Sequence, residues 1–342
     1  MKKTKRNPLK KAAALGLSLL MLAGVLGGCG EADQSAISGR VQAVTVRIGS
    51  LKGPTSLGLL NLMDKSSKGE TTDDYEFQMA VGADELLPLM VKGDLDIALV
   101  PANVAAVLYQ KTDGGVAVID INTLGVLYLV TGTAEISGIA DLKGKTVYLT
   151  GKGTTPEASL RYLLDVNGLA EEDVTLEFKS EATEVAAVLA EDPDAIGLLP
   201  QPFVTAACMQ NEDLKTVLDI NEEWIRAQGG AGNGNGMVTG VTVIRREFLE
   251  AYPEAVAAFL EEHAASTRAV NDDPDTGAAL AVQQGIVAKE PIAQKAIPQC
   301  NIVCVTGQEM KEALSAYLDV LYDFNAELTG GAIPGDDFYY IP

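Results

Sequence analysis

Asp96-Ile97-Ala98-Leu99-Val100 is followed by Pro101-Ala102-Asn103 and then by Val104-Ala105-Ala106-Val107-Leu108-Tyr109-Gln110. The first run is short and continuously apolar after its acid, so it reads as a strand rather than a helix. Pro101 ends it, and Asn103 stands where the loop turns into a helix over 104–110. Strand, loop and helix make one half of a βαβ unit, and the chain repeats that rhythm in both directions.

Upstream, Val44-Thr45-Val46-Arg47-Ile48-Gly49 alternates like a strand and runs into Leu51-Lys52-Gly53-Pro54-Thr55-Ser56, with a helix predicted over 57–64. The next strand is expected at 75–81, and Gly82-Ala83-Asp84-Glu85 opens a helix through 91. Downstream, strands are expected at 116–121, 125–131 and 146–149, and Thr150-Gly151-Lys152-Gly153-Thr154-Thr155-Pro156 leads into a helix over 157–167. A strand at 174–179, a helix at 183–190, a strand at 195–199 and a helix at 203–209 follow, the last two joined by Pro200-Gln201-Pro202. After a strand at 241–244 the pattern is mostly helical, over 253–271, 275–288 and 307–328. The glycine-rich segment 229–240 reads either as a surface loop or as a loop at a cleft. Strands alternating with helices predict an α/β architecture with mostly parallel sheets. The length beyond the leader is about twice that of a usual domain, so two lobes are expected.

The N-terminus carries Lys2, Lys3, Lys5, Arg6, Lys10 and Lys11 with no acid, and residues 12–26 are small and apolar. That is the plan of a secretory signal; the apolar run falls short of the roughly 20 residues of a membrane span. Leu26-Gly27-Gly28-Cys29 resembles a bacterial lipobox, with Gly at its second position as a departure from the commonest pattern. The expectation is a signal peptide over 1–28, a diacylglycerol on Cys29, a tether over 29–41, and a body anchored outside the bacterial cell membrane. The plainer alternative is ordinary signal cleavage beside an incidental cysteine.

Net charge is −21, and loss of the six leader cations leaves −27. Such a chain repels nucleic-acid phosphates and anionic lipid surfaces, which excludes nucleic acid as a partner. Beyond Cys29 the cysteines are Cys208, Cys300 and Cys304, without Cys-x-x-Cys, and His263 is the only histidine. No Cys/His zinc site and no cofactor are expected from that set. Cys300 and Cys304 can pair only across a turn, because along a strand their Cα atoms stand about 13 Å apart. His263, on a helix rich in Glu and Ala, is expected at the surface, and Trp224 in the core or on a lobe surface rather than against a ligand. Residues 151–156 lack the third glycine of a dinucleotide fingerprint and the Gly-Lys-Ser/Thr ending of a phosphate loop. No Gly-x-Ser-x-Gly elbow occurs.

Several segments together resemble the nitrate/sulfonate/taurine-type solute-binding proteins, a group also described as THI5-like or NMT1-like. They are Leu51-Lys52-Gly53-Pro54-Thr55-Ser56, Gly93-Asp94-Leu95-Asp96-Ile97-Ala98, Val100-Pro101-Ala102-Asn103, Asp141-Leu142-Lys143-Gly144-Lys145-Thr146-Val147 and Gly151-Lys152-Gly153-Thr154. Phe248-Leu249 and Pro253-Glu254-Ala255-Val256 resemble the family's late signature. Order and spacing carry the resemblance across essentially all of the chain beyond the leader; no single motif does. It implies a type II periplasmic-binding-protein fold: two α/β lobes, two crossing strands and a ligand cleft between them. Lobe one would comprise 42–127 plus 241–342, and lobe two 128–240. It also implies a monomer that delivers a small ligand to an ABC permease and its ATPase. A ligand-sensing receptor for a membrane partner is the second reading. A THI5-like pyrimidine synthase is the third, and the single histidine and scattered cysteines argue against it.

In open α/β sheets a ligand sits at the carboxyl ends of strands, where helix N-termini present unpaired N–H groups. The candidate ligand-binding residues are therefore Lys52, Gly53, Thr55, Ser56, Ala83, Asn103, Asn122, Thr123, Lys152, Gly153, Thr154, Thr155 and Gln201. The hydroxyl and amide residues have a plainer role as helix caps, and Gln201 as part of a rigid turn. Lys52 and Lys152, one per expected lobe, would clamp an anion if both face the cleft; the alternative is that both point to solvent.

Overall fold

The computed structural model describes residues 43–230 and 236–342. The signal peptide, Cys29, the tether and part of the glycine-rich segment lie outside the described residues.

The chain first lays down β1 (Thr45–Leu51), α1 (Leu60–Ser67), β2 (Asp74–Ala80), α2 (Ala83–Lys92), β3 (Ile97–Pro101), α3 (Ala102–Lys111) and β4 (Val116–Leu124). It then builds β5 (Leu127–Thr131), β6 (Thr146–Leu149), α4 (Thr155–Val166), β7 (Thr175–Phe178), α5 (Ala182–Glu191), β8 (Ile196–Pro200), α6 (Phe203–Gln210), β9 (Lys215–Asp219) and α7 (Ile220–Ala227). It returns through β10 (Val238–Arg245), α8 (Arg246–Ala251), α9 (Pro253–Asp272), α10 (Pro274–Gln283), α11 (Glu290–Ala296), β11 (Ile302–Val305) and α12 (Gly307–Phe324).

Two sheets result, ordered β11-β4-β10-β3-β1-β2 and β7-β6-β8-β5-β9. β1 pairs in parallel with β2 and β3, and β6 with β7 and β8, as βαβ connections require. Both sheets are mixed, most strands running one way and the crossing strands running against them. β5 comes from the first sheet and β10 returns from the second, so each enters its new sheet at the carboxyl ends of the parallel strands. Each must then run against its neighbours, and β10 is antiparallel to β3 and β4, β5 to β8 and β9. These crossings put the strand ends of both lobes on either side of one cleft.

β3 is buried at Ile97, Ala98, Leu99 and Val100, which accounts for its uninterrupted apolar run. β9, α7, α11 and β11 had no counterpart in the sequence reading; all are short, four to eight residues. The expected helix over 275–288 stops at Gln283, where Gly285 takes φ 69° and turns the chain.

His263 is fully buried, not at the surface. Its helix α9 buries Val256, Phe259, His263, Ser266 and Val270, the three- and four-residue spacing of one inward face, and His263 belongs to that stripe. Cys208, Cys300 and Cys304 are free thiols, and the buried Cys300 Sγ lies 3.1 Å from the Ala296 carbonyl. Trp224 is buried between Tyr162 and Tyr317, with ring centroids 4.7 and 5.0 Å away. Tyr317 lies on α12, and its hydroxyl is 3.0 Å from that of Ser159 on α4. The last long helix thus ties onto the second lobe as well as the first, and one apolar core runs through both.

Candidate functional site

A cleft of about 970 Å³ opens between the two sheets. Its walls are the strand-end loops: 51–55 after β1, 81–84 after β2, 150–156 after β6, 179–183 after β7, and 200–203 after β8. These loops exist because each parallel strand must hand over to a helix on the same side, which is why strand-end positions found most of them from sequence.

Of the thirteen candidate residues, Lys52, Gly53, Thr55, Ala83, Lys152, Gly153, Thr154 and Thr155 line this cleft. Gly151 and Gly153 have φ 76° and 75°, so the 151–153 loop takes a left-handed path that a side chain would strain. Thr154 closes that loop by donating its hydroxyl to the Gly151 carbonyl at 2.7 Å.

Ser56, Asn103, Asn122, Thr123 and Gln201 are buried and do not reach the cleft wall. Each is occupied within the protein. Ser56 donates its hydroxyl to the Leu51 carbonyl at 2.5 Å and lies 2.8 Å from Ser50 Oγ. Asn103 Nδ2 donates to the Gly153 carbonyl at 3.0 Å, and its Oδ1 accepts from Thr155 Oγ1 at 3.4 Å. Asn122 Nδ2 donates to Thr242 Oγ1 at 3.2 Å, while Thr123 donates to Asn122 Oδ1 at 2.9 Å. Gln201 Oε1 accepts from Thr205, and its Nε2 donates to Gln299 Oε1 at 3.2 Å. Asn103 and Gln201 therefore join the two lobes to each other.

The helix starts around the cleft are less open to a ligand than the sequence suggests. Glu85 accepts from the Val81 and Gly82 N–H groups, Glu157 from Gly153, and Glu184 from Ser180, at 2.7–3.2 Å. These carboxylates fill the electropositive ends of α2, α4 and α5.

The cations are arranged differently. Lys52, Lys111, Lys152 and Lys179 line the cleft against only Asp84 and Glu181, in a chain of net charge −21. Among the described residues neither Lys52 nor Lys152 has a carboxylate within 4.0 Å. Lys152 stands 5.7 Å over the Phe178 ring, and Lys179 stands 5.2 Å over Tyr148 and 3.9 Å from Glu177. Beside them, Thr55 Oγ1 and Thr239 Oγ1 are buried without a hydrogen-bond partner among the described residues. Both residues belong to the cleft lining, and buried hydroxyls are ordinarily satisfied.

Apolar side chains line the cleft as well, among them Phe203 and Ala206 from the second lobe and Val282, Ile286, Val287 and Ile292 from the first. The sequence reading missed this lining because it ran one helix through 275–288. Gln-Gln-Gly at 283–285 carries the C-terminal glycine signal that marks the stop. Lys179 was missed too, although it stands at a strand end like the residues that were found.

No protein-family model and no curated protein sequence matches the chain. Solved structures do. An ABC transporter from Parabacteroides distasonis superposes with TM-score 0.70 at 22% identity, over 87% of this chain and 98% of that one. The periplasmic aliphatic sulphonate binding protein SsuA from Escherichia coli gives 0.69 at 15%, over 87% and 92%. The alkanesulfonate-binding protein SsuA from Xanthomonas axonopodis pv. citri, bound to MOPS, gives 0.65 at 16%, over 85% and 94%. With two mixed α/β lobes and a cleft at their strand ends, the chain has the periplasmic-binding-protein fold that these proteins share.

Proposed function

We propose that this protein is an extracytoplasmic solute-binding lipoprotein that captures a small organic anion with an apolar body and delivers it to an ABC importer. The carrying observation is the pair Lys52 and Lys152, one from each side of the cleft, without carboxylate partners among the described residues, in a cleft that Thr55 and Thr239 also line. The anionic group would sit between the lysines, and the apolar body against Phe203, Ile286, Val287 and Ile292. In this reading lobe one is 42–127 plus 241–342, lobe two is 128–240, and the ligand draws them together by a hinge motion. The sulfonate-binding neighbours support an anionic ligand class, and the lipobox-like Cys29 supports a lipid anchor.

The test is thermal melting against alkanesulfonates, aromatic carboxylates, pyrimidines and amino acids. A ligand that binds only the folded state raises the melting temperature by mass action. Each charge-assisted contact contributes about 1.5 kcal/mol or more, so Lys52→Ala and Lys152→Ala should each weaken the active anion roughly tenfold. A shift that survives the double substitution removes the lysine clamp; the absence of any shift across the panel removes the anion-binding reading. Palmitate or glycerol labelling of cells, lost in Cys29→Ala, tests the anchor.

A further inference from the structure

Away from the cleft, three metal-binding side chains converge beneath the first sheet. Asp120 comes from β4, His263 from α9 and Cys304 from β11, and their donor atoms all lie within 4.8 Å of one another. His263 Nδ1 is 3.2 Å from Asp120 Oδ2 and 4.0 Å from Cys304 Sγ. Asp120 and His263 are fully buried, and Cys304 is partly exposed. Thr242 donates its hydroxyl to Asp120 Oδ1 at 2.8 Å and orients the carboxylate.

Nδ1 faces both Asp120 Oδ2 and Cys304 Sγ, so a neutral imidazole can donate to the carboxylate or accept from the thiol there, but not both at once. Nε2 has no partner among the described residues, and neither has Thr267 Oγ1. Those two atoms lie 3.2 and 2.8 Å from the point a Cβ on Gly58 would occupy, so they share one side of the ring.

We propose that Asp120, His263 and Cys304 bind a zinc-class divalent metal ion, with Nδ1 as the imidazole ligand. A tetrahedral ion with bonds of about 2.0–2.3 Å holds its donors roughly 3.3–3.6 Å apart, so the 3.2 Å Nδ1–Oδ2 pair already fits, the 4.0 Å Nδ1–Sγ pair closes by about 0.4 Å, and every donor pair starts within 4.8 Å. A 2+ ion balances one carboxylate and one thiolate, so the buried site becomes neutral. Nε2–H is then free to face Thr267 Oγ1, as metal-bound imidazoles donate their second N–H. Water is the fourth ligand, and Cys304, the one donor residue not fully buried, marks the side of the site nearest solvent. Ion binding displaces the thiol proton to solvent.

The experiment is titration of the chelator-stripped full chain with Co²⁺. The expected result is a thiolate-to-cobalt band with tetrahedral ligand-field bands, saturating at one ion per chain and bleached by Zn²⁺. Both should vanish in Cys304→Ser and persist in Cys208→Ser. A second readout needs no variant: Zn²⁺ should protect Cys304, and not Cys208, from alkylation in the native protein. Absence of the thiolate band, its persistence in Cys304→Ser, or equal alkylation of Cys304 with and without Zn²⁺ overturns the proposal.

Discussion

Asp96 shows how one buried acid organises the end of the first sheet opposite the cleft. Its carboxylate accepts from Arg47 Nε and Nη2 at 2.8 and 2.6 Å and from Arg245 Nη2 at 3.0 Å, tying β1, β3 and β10 together. Burial pushes the carboxyl up, but the arginine hydrogen bonds outweigh it, and Asp96 titrates below the ordinary carboxylate range. A depressed folded-state value stabilises the protein above the unfolded value of about 4 and loses that effect as pH falls through the folded one. Asp96→Asn should therefore cost roughly 2–3 kcal/mol at pH 7, below the full cost of a broken buried pair because Arg47 is partly exposed to water. Urea denaturation at pH 7 and pH 3 should show the gap to the unsubstituted protein narrowing in acid; a gap that stays constant contradicts the assignment. Of the residues proposed for ligand contact, the lysines and the 151–155 loop were legible because strand-end loops are local in sequence. Asn103 and Gln201 were legible as polar loop residues, yet their partners Gly153 and Gln299 are 50 and 98 positions away.

At the scale of elements, α12 matters most beyond the cleft. Tyr317 packs on Trp224 and reaches Ser159, while Phe324 lies 5.8 Å from Tyr162. Burial pushes the Tyr317 phenol up to about 12, so it stays protonated and its hydrogen bond persists at neutral pH. Tyr317→Phe should cost about 1 kcal/mol through the lost hydrogen bond, and Tyr317→Ala about 3–5 kcal/mol through the cavity. Trp224 is the only tryptophan, so its emission reports directly on this seam. Tyr317→Ala should shift native emission to the red; an unchanged spectrum removes the seam from the account. The long helices and apolar strands were readable because their periods persist over many residues. β9, α7, α11 and β11 were not, since four to eight residues leave too few repeats to separate a helix period from a strand period.

For the whole molecule, the cleft sits between two bodies joined by β4–β5, by the β10 crossover and by α12. Ligand binding should reduce the radius of gyration measured by solution scattering, as hinge closure requires. Cross-lobe bonds from Asn103 and Gln201 should make Asn103→Ala/Gln201→Ala more extended before ligand is added. An unchanged radius in both experiments argues for a cleft that does not move. Amino-acid order alone settled the α/β class and most strand-end loops, and it carried the expectations of two lobes and of no nucleic-acid partner. Those properties rest on local periodicity, turn chemistry and summed charge, which need no knowledge of distant contacts. Tertiary structure alone settled the mixed pairing of the sheets, the apolar lining around Ile286, the inward turn of His263 and the meeting of Asp120 with Cys304. Each depends on which faces touch after the chain crosses between sheets, and residues 41 to 184 positions apart carry no mark of one another in the linear sequence.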